Sequence, residues 1–237
     1  MKAGVATENG LELRDIAQPK PQPFQILVQV KAAGLNRADL AASRGSGGHG
    51  AVGGTVGIDW SGEVVEVGSE TKGGFKPGDR VMCAGSGGYA EYAVCDWGRV
   101  VAMPDGMSFE DAATLPVALG TMHDAVVTNG RLKRGESVLI QGASSGVGLM
   151  ALQIAKLLGA KLVIGTSTNA GRRARLKEFG ADLAIDTTDP KWPDLVLEAT
   201  GGAGVNLLID QVSGALMTAR MRATAVLGRI VNVGRLG

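Results

Sequence analysis

The sequence predicts a two-domain α/β protein, a β-rich domain followed by a parallel sheet covered by helices, and three observations carry that expectation. At 237 residues the chain is long for one ordinary domain, and its 45% hydrophobic content can build a core in each of two. The 37 glycines crowd into the first hundred positions and into 142–148 without a collagen-like period, which implies many tight turns. From Ser137 onward, apolar runs alternate with amphipathic stretches, the pattern of strand and helix in turn.

Taken in order, strands are expected at 26–30, 62–67, 80–83 and 90–94, short and separated by Gly and Pro signals, as in a barrel or sandwich. Pro21, Pro23 and Pro77 bound these strands and do not interrupt them. After Pro104 the period changes, and Ser108 followed three residues later by Asp111 reads as a helix start. The domains are therefore expected to be 1–121 and 122–237. In the second, strands are expected at 137–142, 161–166, 183–186, 207–210 and 229–234, forming a parallel sheet with helices on both faces. Only Gly234-Arg235-Leu236-Gly237 follow the last of these, so the fold is expected to be truncated after its fifth strand, with a bare edge.

Composition narrows the function. A net charge of +1 with both signs intermingled gives no field for nucleic acid or an anionic membrane, which points to a small soluble ligand. No apolar run reaches the roughly 18 residues of a membrane helix, and MKAGVATENG lacks the apolar stretch of a signal peptide; a cytoplasmic protein is expected. Cys83 and Cys95 read as small core residues.

The most informative segment is Val138-Leu139-Ile140-Gln141-Gly142-Ala143-Ser144-Ser145-Gly146-Val147-Gly148, followed by apolar residues at Val147, Met150, Ala151, Ile154, Leu157 and Leu158. A strand turning through glycines into a helix offers unpaired N–H groups and the positive helix end to a pyrophosphate, and Gly146 and Gly148 would allow its close approach. With a second strand after the helix, the context is that of dinucleotide binding. An NAD site would carry an acid at the end of that second strand, but here Gly165-Thr166-Ser167-Thr168-Asn169-Ala170-Gly171-Arg172-Arg173 has none. Ser167 and the guanidinium fork of Arg172 suit a 2′-phosphate, so NADPH is expected. Arg173 reads equally well as a solvated helix face.

A short-chain dehydrogenase would place a Tyr-x-x-x-Lys acid after the turn, yet Tyr89 and Tyr92, the only tyrosines, precede it. Five stretches instead carry another resemblance: Ala32-Ala33-Gly34-Leu35-Asn36-Arg37-Ala38-Asp39-Leu40, Phe75-Lys76-Pro77-Gly78-Asp79-Arg80-Val81, Gly88-Tyr89-Ala90-Glu91-Tyr92, Leu115-Pro116 with Gly120-Thr121, and the turn itself. Together they resemble the medium-chain dehydrogenase/reductase superfamily, in its zinc-independent quinone oxidoreductase (zeta-crystallin-like) branch, over essentially the whole chain. The resemblance implies a GroES-like catalytic domain followed by a Rossmann domain, and reduction of a quinone or other conjugated carbonyl by NADPH. Enoyl reduction of a 2-enal or an enoyl thioester is the alternative within the fold, and an NADPH-binding but inactive protein the alternative outside it. The resemblance further implies a sixth strand often used to dimerise, and so a homodimer for a full-length relative.

The resemblance also assigns residues. Asn36 stands where zinc-dependent relatives carry a ligand Cys, and Ile58-Asp59 where they carry His-Glu; no metal is expected, and His49 and His123 read as incidental. Asn36 is implied beside the nicotinamide, with an amide to offer to substrate or ribose oxygen. Thr121 matches a threonine near the ring, Val233-Gly234 the strand end facing the carboxamide, and Val212 the same pocket. Ser145, Gly146, Val147 and Gly148 would face the pyrophosphate. The tyrosine that some relatives carry after the Asn36 motif is missing from Ser43-Arg44-Gly45-Ser46-Gly47-Gly48-His49-Gly50, which leaves Arg44 as a candidate to steady a substrate oxygen.

Overall fold

The computed structural model describes residues 1–44, 51–214 and 217–234. The chain divides into two units, Met1–Val117 and Ala118–Gly237, a little N-terminal to the junction expected at 121/122.

The first unit opens with an antiparallel hairpin, β1 (Lys2–Thr7) and β2 (Gly10–Asp15). There follow β3 (Gln25–Ala33), helix α1 (Arg37–Ala42), β4 (Asp59–Val67), β5 (Arg80–Ala84), β6 (Tyr92–Asp96) and β7 (Val100–Ala102). These five strands form one antiparallel sheet in the order β6-β3-β4-β5-β7. Alternation sends Ile26, Val28, Trp60, Val64, Val81 and Cys83 into a single core, which Ala93 and Cys95 complete. Both cysteines are free and buried there, as expected. A Cβ at Gly62 would lie 2.0 Å from the Gln29 carbonyl oxygen, so the close approach of β3 and β4 requires glycine at that position. Ser108 caps α2 (Phe109–Ala112) by accepting from the Asp111 N–H at 3.0 Å, and α3 (Pro116–His123) begins at a proline.

In the second unit the strands are β8 (Ser137–Ile140), β9 (Leu162–Thr166), β10 (Leu183–Ile185), β11 (Val205–Asp210) and β12 (Thr224–Asn232). Between them lie α4 (Gly146–Leu157), α5 (Ala170–Arg175), α6 (Trp192–Ala199) and α7 (Met217–Ala223). All pairs are parallel and the order is β10-β9-β8-β11-β12, the doubly wound sheet expected. Its strands bury both faces. Val138, Ile140, Val163, Leu207 and Ile209 pack with Ala151, Leu152 and Ala155 of α4, while Leu139, Ile164, Ile185 and Leu208 pack with Trp192, Val196 and Ala223 from α6 and α7. The chain winds outward from β8 to β10 and then returns to β11, so the winding reverses between β8 and β11, and a crevice outside their carboxyl ends is where such sheets bind ligands.

The last strand begins earlier than its alternation suggests. Its register jumps between Thr224 and Arg229, and Leu227, with φ of 61°, stands in the left-handed region where the loop bulges into solvent. That bulge breaks the period-two signal.

Candidate functional site

In the first unit Asn36 caps α1 and sits above two buried acids. Its backbone N–H donates to Asp39 Oδ2 at 2.8 Å, and its side-chain Nδ2 reaches Asp59 Oδ2 at 3.4 Å. The same Asp39 oxygen accepts from the Tyr89 hydroxyl at 2.8 Å, and the other Asp59 oxygen accepts from the Val117 N–H at 3.1 Å. Burial pushes the Asp59 carboxyl up to about 6, against the lowering effect of its hydrogen bonds from Val117 and Asn36; the charge of Asp39 adds to the rise. Burial and then the Asp39 bond push the Tyr89 phenol well above its usual value, which keeps it protonated and donating. The acids thus orient an amide. With one Nδ2 hydrogen committed to Asp59, Asn36 retains a second N–H and its carbonyl oxygen. Arg44 lies exposed just beyond α1, and His49 falls outside the described residues.

The glycine-rich turn of the second unit divides its labour. Gly146 borders open space, leaving its backbone accessible to a ligand. At Gly148 a Cβ would lie 2.6 Å from both Ala143 Cα and the Gly142 carbonyl oxygen, so internal packing by itself requires glycine there. Ser145 is the N-cap of α4, accepting from the Gly148 N–H at 3.0 Å, and its hydroxyl lies 3.1 Å from Gln211 Oε1. Val147 is partly buried and packs on the core. Ser167 is nearly buried at the end of β9, with its Oγ 2.9 Å from Ser144 Oγ; it can donate elsewhere only when Ser144 donates to it. Arg173 is pinned by Asp186 at 2.9 Å and by the Ser167 carbonyl at 2.8 Å. Arg175 pairs with Glu178. Among the described residues, nothing engages the guanidinium of Arg172.

Thr121 and Val233 line one open cavity of about 700 Å³, together with Asp124, Asn129 and Asn232. Val212 and Val233 meet at Asp210, whose Oδ1 accepts from the Val212 N–H at 2.9 Å and whose carbonyl accepts from the Val233 N–H at 2.7 Å. Gly234 reaches the same carbonyl at 3.3 Å. Behind these groups lies a buried polar network of Gln141, Asp210 and Arg220 that sequence reading missed. One signal was available: Arg220 stands between Ala219 and Ala223 on the inward face of α7. Among the described residues no group of three or more His, Cys, Asp or Glu could hold a metal ion, and no helix is long and apolar enough to cross a membrane.

A GroES-like β unit joined to a doubly wound sheet, with a glycine-rich turn at its first carboxyl end, defines a two-domain dehydrogenase/reductase. Family models agree: residues 22–105 match the alcohol dehydrogenase GroES-like domain, and residues 146–237 match the zinc-binding dehydrogenase domain. Human quinone oxidoreductase is 32% identical over 231 residues, which cover 96% of this chain and 70% of that protein. The solved structure of mycobacterial Rv1454c complexed with NADPH superposes with a TM-score of 0.90 at 30% identity, covering 99% of this chain and 74% of that one. A highly reducing polyketide synthase, AN6791 of Emericella nidulans, is 31% identical over 226 residues, 94% of this chain but only 9% of that protein. The chain belongs to the medium-chain dehydrogenase/reductase superfamily, in its quinone oxidoreductase branch.

Proposed function

We propose that this chain is the catalytic and nucleotide-binding core of a zinc-independent reductase that uses NADPH to reduce a quinone or other conjugated carbonyl. The observation that carries this reading is the amide of Asn36, held by buried Asp59, where zinc-dependent relatives would present a metal ligand. Both Asp59 oxygens accept hydrogen bonds, and an amide is a poor partner for zinc beside the usual Cys and His donors. The site as built therefore does not fit a catalytic zinc. Lacking a Lewis acid, it suits an acceptor that delocalises its own developing charge, for which the hydrogen bonds of Asn36 suffice.

When bound, NADPH would supply hydride from its nicotinamide, with solvent supplying the proton that completes reduction. The backbone of 145–148 would receive the pyrophosphate, and Val233, Gly234, Val212 and Thr121 would position the ring. Arg172 is the natural partner for a 2′-phosphate, because its neighbours Arg173 and Arg175 are already paired. Arg44 remains the candidate to steady a substrate oxygen. The match to a segment of a highly reducing polyketide synthase favours an enoyl acceptor as the second reading.

The test is nicotinamide oxidation followed by absorbance, with a 1,4-quinone and a 2-enal as acceptors and NADH in parallel. Turnover with NADPH well above NADH is expected, and the better acceptor chooses between the two readings. Replacement R172A should weaken NADPH binding about tenfold, the scale of one charged contact, and leave NADH unchanged. NADPH binding without turnover of either acceptor would make the chain a nucleotide-binding protein only.

A further inference from the structure

We propose that Arg220 is a positioning residue for the dinucleotide site, tying the carboxyl ends of β8 and β11 to the turn that follows β11. This rests on the nucleotide-binding reading given above. The Arg220 side chain is fully buried, reaching from α7 to the sheet ends. Its Nε donates to Gln141 Oε1, at the end of β8, and lies 3.2 Å from Asp210 Oδ2, at the end of β11. One terminal nitrogen donates to the Ser213 carbonyl at 2.7 Å.

That single side chain therefore links the ends of β8 and β11 with the turn after β11, beside the glycine-rich turn, Val212 and Val233 assigned above to the nucleotide. Through Asp210 it reaches the N–H groups of Val212 and Ser213, both 2.9 Å from Oδ1, and the Val233 N–H on the Asp210 carbonyl. Through Gln141 it reaches the glycine-rich turn, because Gln211 Nε2 donates to the Gln141 carbonyl at 3.0 Å while Gln211 Oε1 lies 3.1 Å from the Ser145 hydroxyl.

Two features argue that this arrangement serves more than packing. Ser213 has φ of 60°, a left-handed conformation that is costly outside glycine and persists only where surrounding bonds impose it. Asp210 and Arg220 bind that residue from both its N–H and its carbonyl side. In addition, the other terminal nitrogen of Arg220 and Oδ2 of Asp210 are both buried and make no hydrogen bond among the described residues, so the Arg220–Asp210 tie is one of charge. A site selected only for stability would do better with apolar side chains, since a buried ion pair seldom repays its desolvation.

Two variants separate positioning from stability. R220K keeps a charge for Asp210 but cannot hold Gln141 and the Ser213 carbonyl together; it is expected to weaken NADPH binding about tenfold, read by calorimetry. The double variant D210N/R220M removes both charges, so its folding stability should exceed that of R220M alone while its NADPH affinity stays low. Wild-type affinity in either variant overturns the proposal. Amide hydrogen exchange without nucleotide provides the independent arm, with faster exchange expected at Val212 and Ser213 in R220K and unchanged exchange counting against the proposal. A wild-type chain that fails to bind NADPH would overturn the underlying functional reading, and the exchange result would still decide the role of Arg220.

Discussion

The two units set a carboxylate in opposite surroundings. In the first, Asp59 sits at the start of a core strand, 2% exposed, with an amide N–H on each oxygen and, among the described residues, no cation paired with it; desolvation dominates and its carboxyl is pushed up to about 6. In the second, Glu136 meets a bidentate guanidinium, Arg229, at 2.9 and 2.6 Å, and that bond holds its carboxyl below the usual range. The first unit accepts a destabilising acid to orient Asn36, whereas the second uses an acid to fasten β12 to the loop at Gly130–Arg131, whose carbonyls Arg229 also engages. Of these two carboxylates, the desolvated one serves a local task and the one paired with Arg229 fastens a strand.

That contrast gives opposite pH responses. Because the folded Asp59 pKa lies above its unfolded value, the folded state binds the extra proton between roughly pH 4 and 6, and stability falls as pH rises through that window. The largest expected effect is therefore on D59N, which should lose this dependence and gain, relative to wild type, on the order of 3 kcal/mol between pH 4 and pH 7 in denaturant titrations. Parallel pH profiles for the two proteins would break the comparison.

The glycine-rich turn sharpens it on the steric side. G148A forces a Cβ against backbone and should cost about 1–3 kcal/mol of stability in the second unit, whereas G146A, which meets open space, should stay within about 1 kcal/mol and lose nucleotide affinity. Thermal melts with and without NADPH distinguish the two. Equal destabilisation would mean that both glycines serve the turn alone.

The smallest effect is expected at Glu136. Its folded pKa is depressed, so its contribution is present above the unfolded value near ~4.3 and is lost as pH falls through the folded one. E136Q should cost about 1 kcal/mol at pH 7, and the difference from wild type should shrink on acidification. A variant whose deficit is constant with pH would show that shape, and not charge, fastens β12.

Much of this molecule was legible in the chain. The alternation of 138–140, 163–164 and 207–209 sends successive side chains to opposite faces, and a strand buried on both faces can only be apolar throughout, so sequence determined the parallel sheet. The glycine-rich turn was equally legible, because a strand that must reverse directly into a helix tolerates few residues. Asn36 was marked by the family resemblance and Ser145 by the glycine-rich turn; the structure adds that both stand at helix starts.

Tertiary structure decided what those residues can do. That Gly148 packs against Ala143, that Arg173 is paired with Asp186, and that Arg220 crosses from α7 to two strand ends depend on partners that folding brings together. The amide of Asn36 is fixed by Asp59, 23 residues on, and Asp59 is perturbed because folding removes its water. Periodicity encodes which face a residue takes, since that depends on its neighbours in sequence. Desolvation and hydrogen-bond partnership depend on neighbours in space, and these exist only once the sheet has brought its carboxyl ends together.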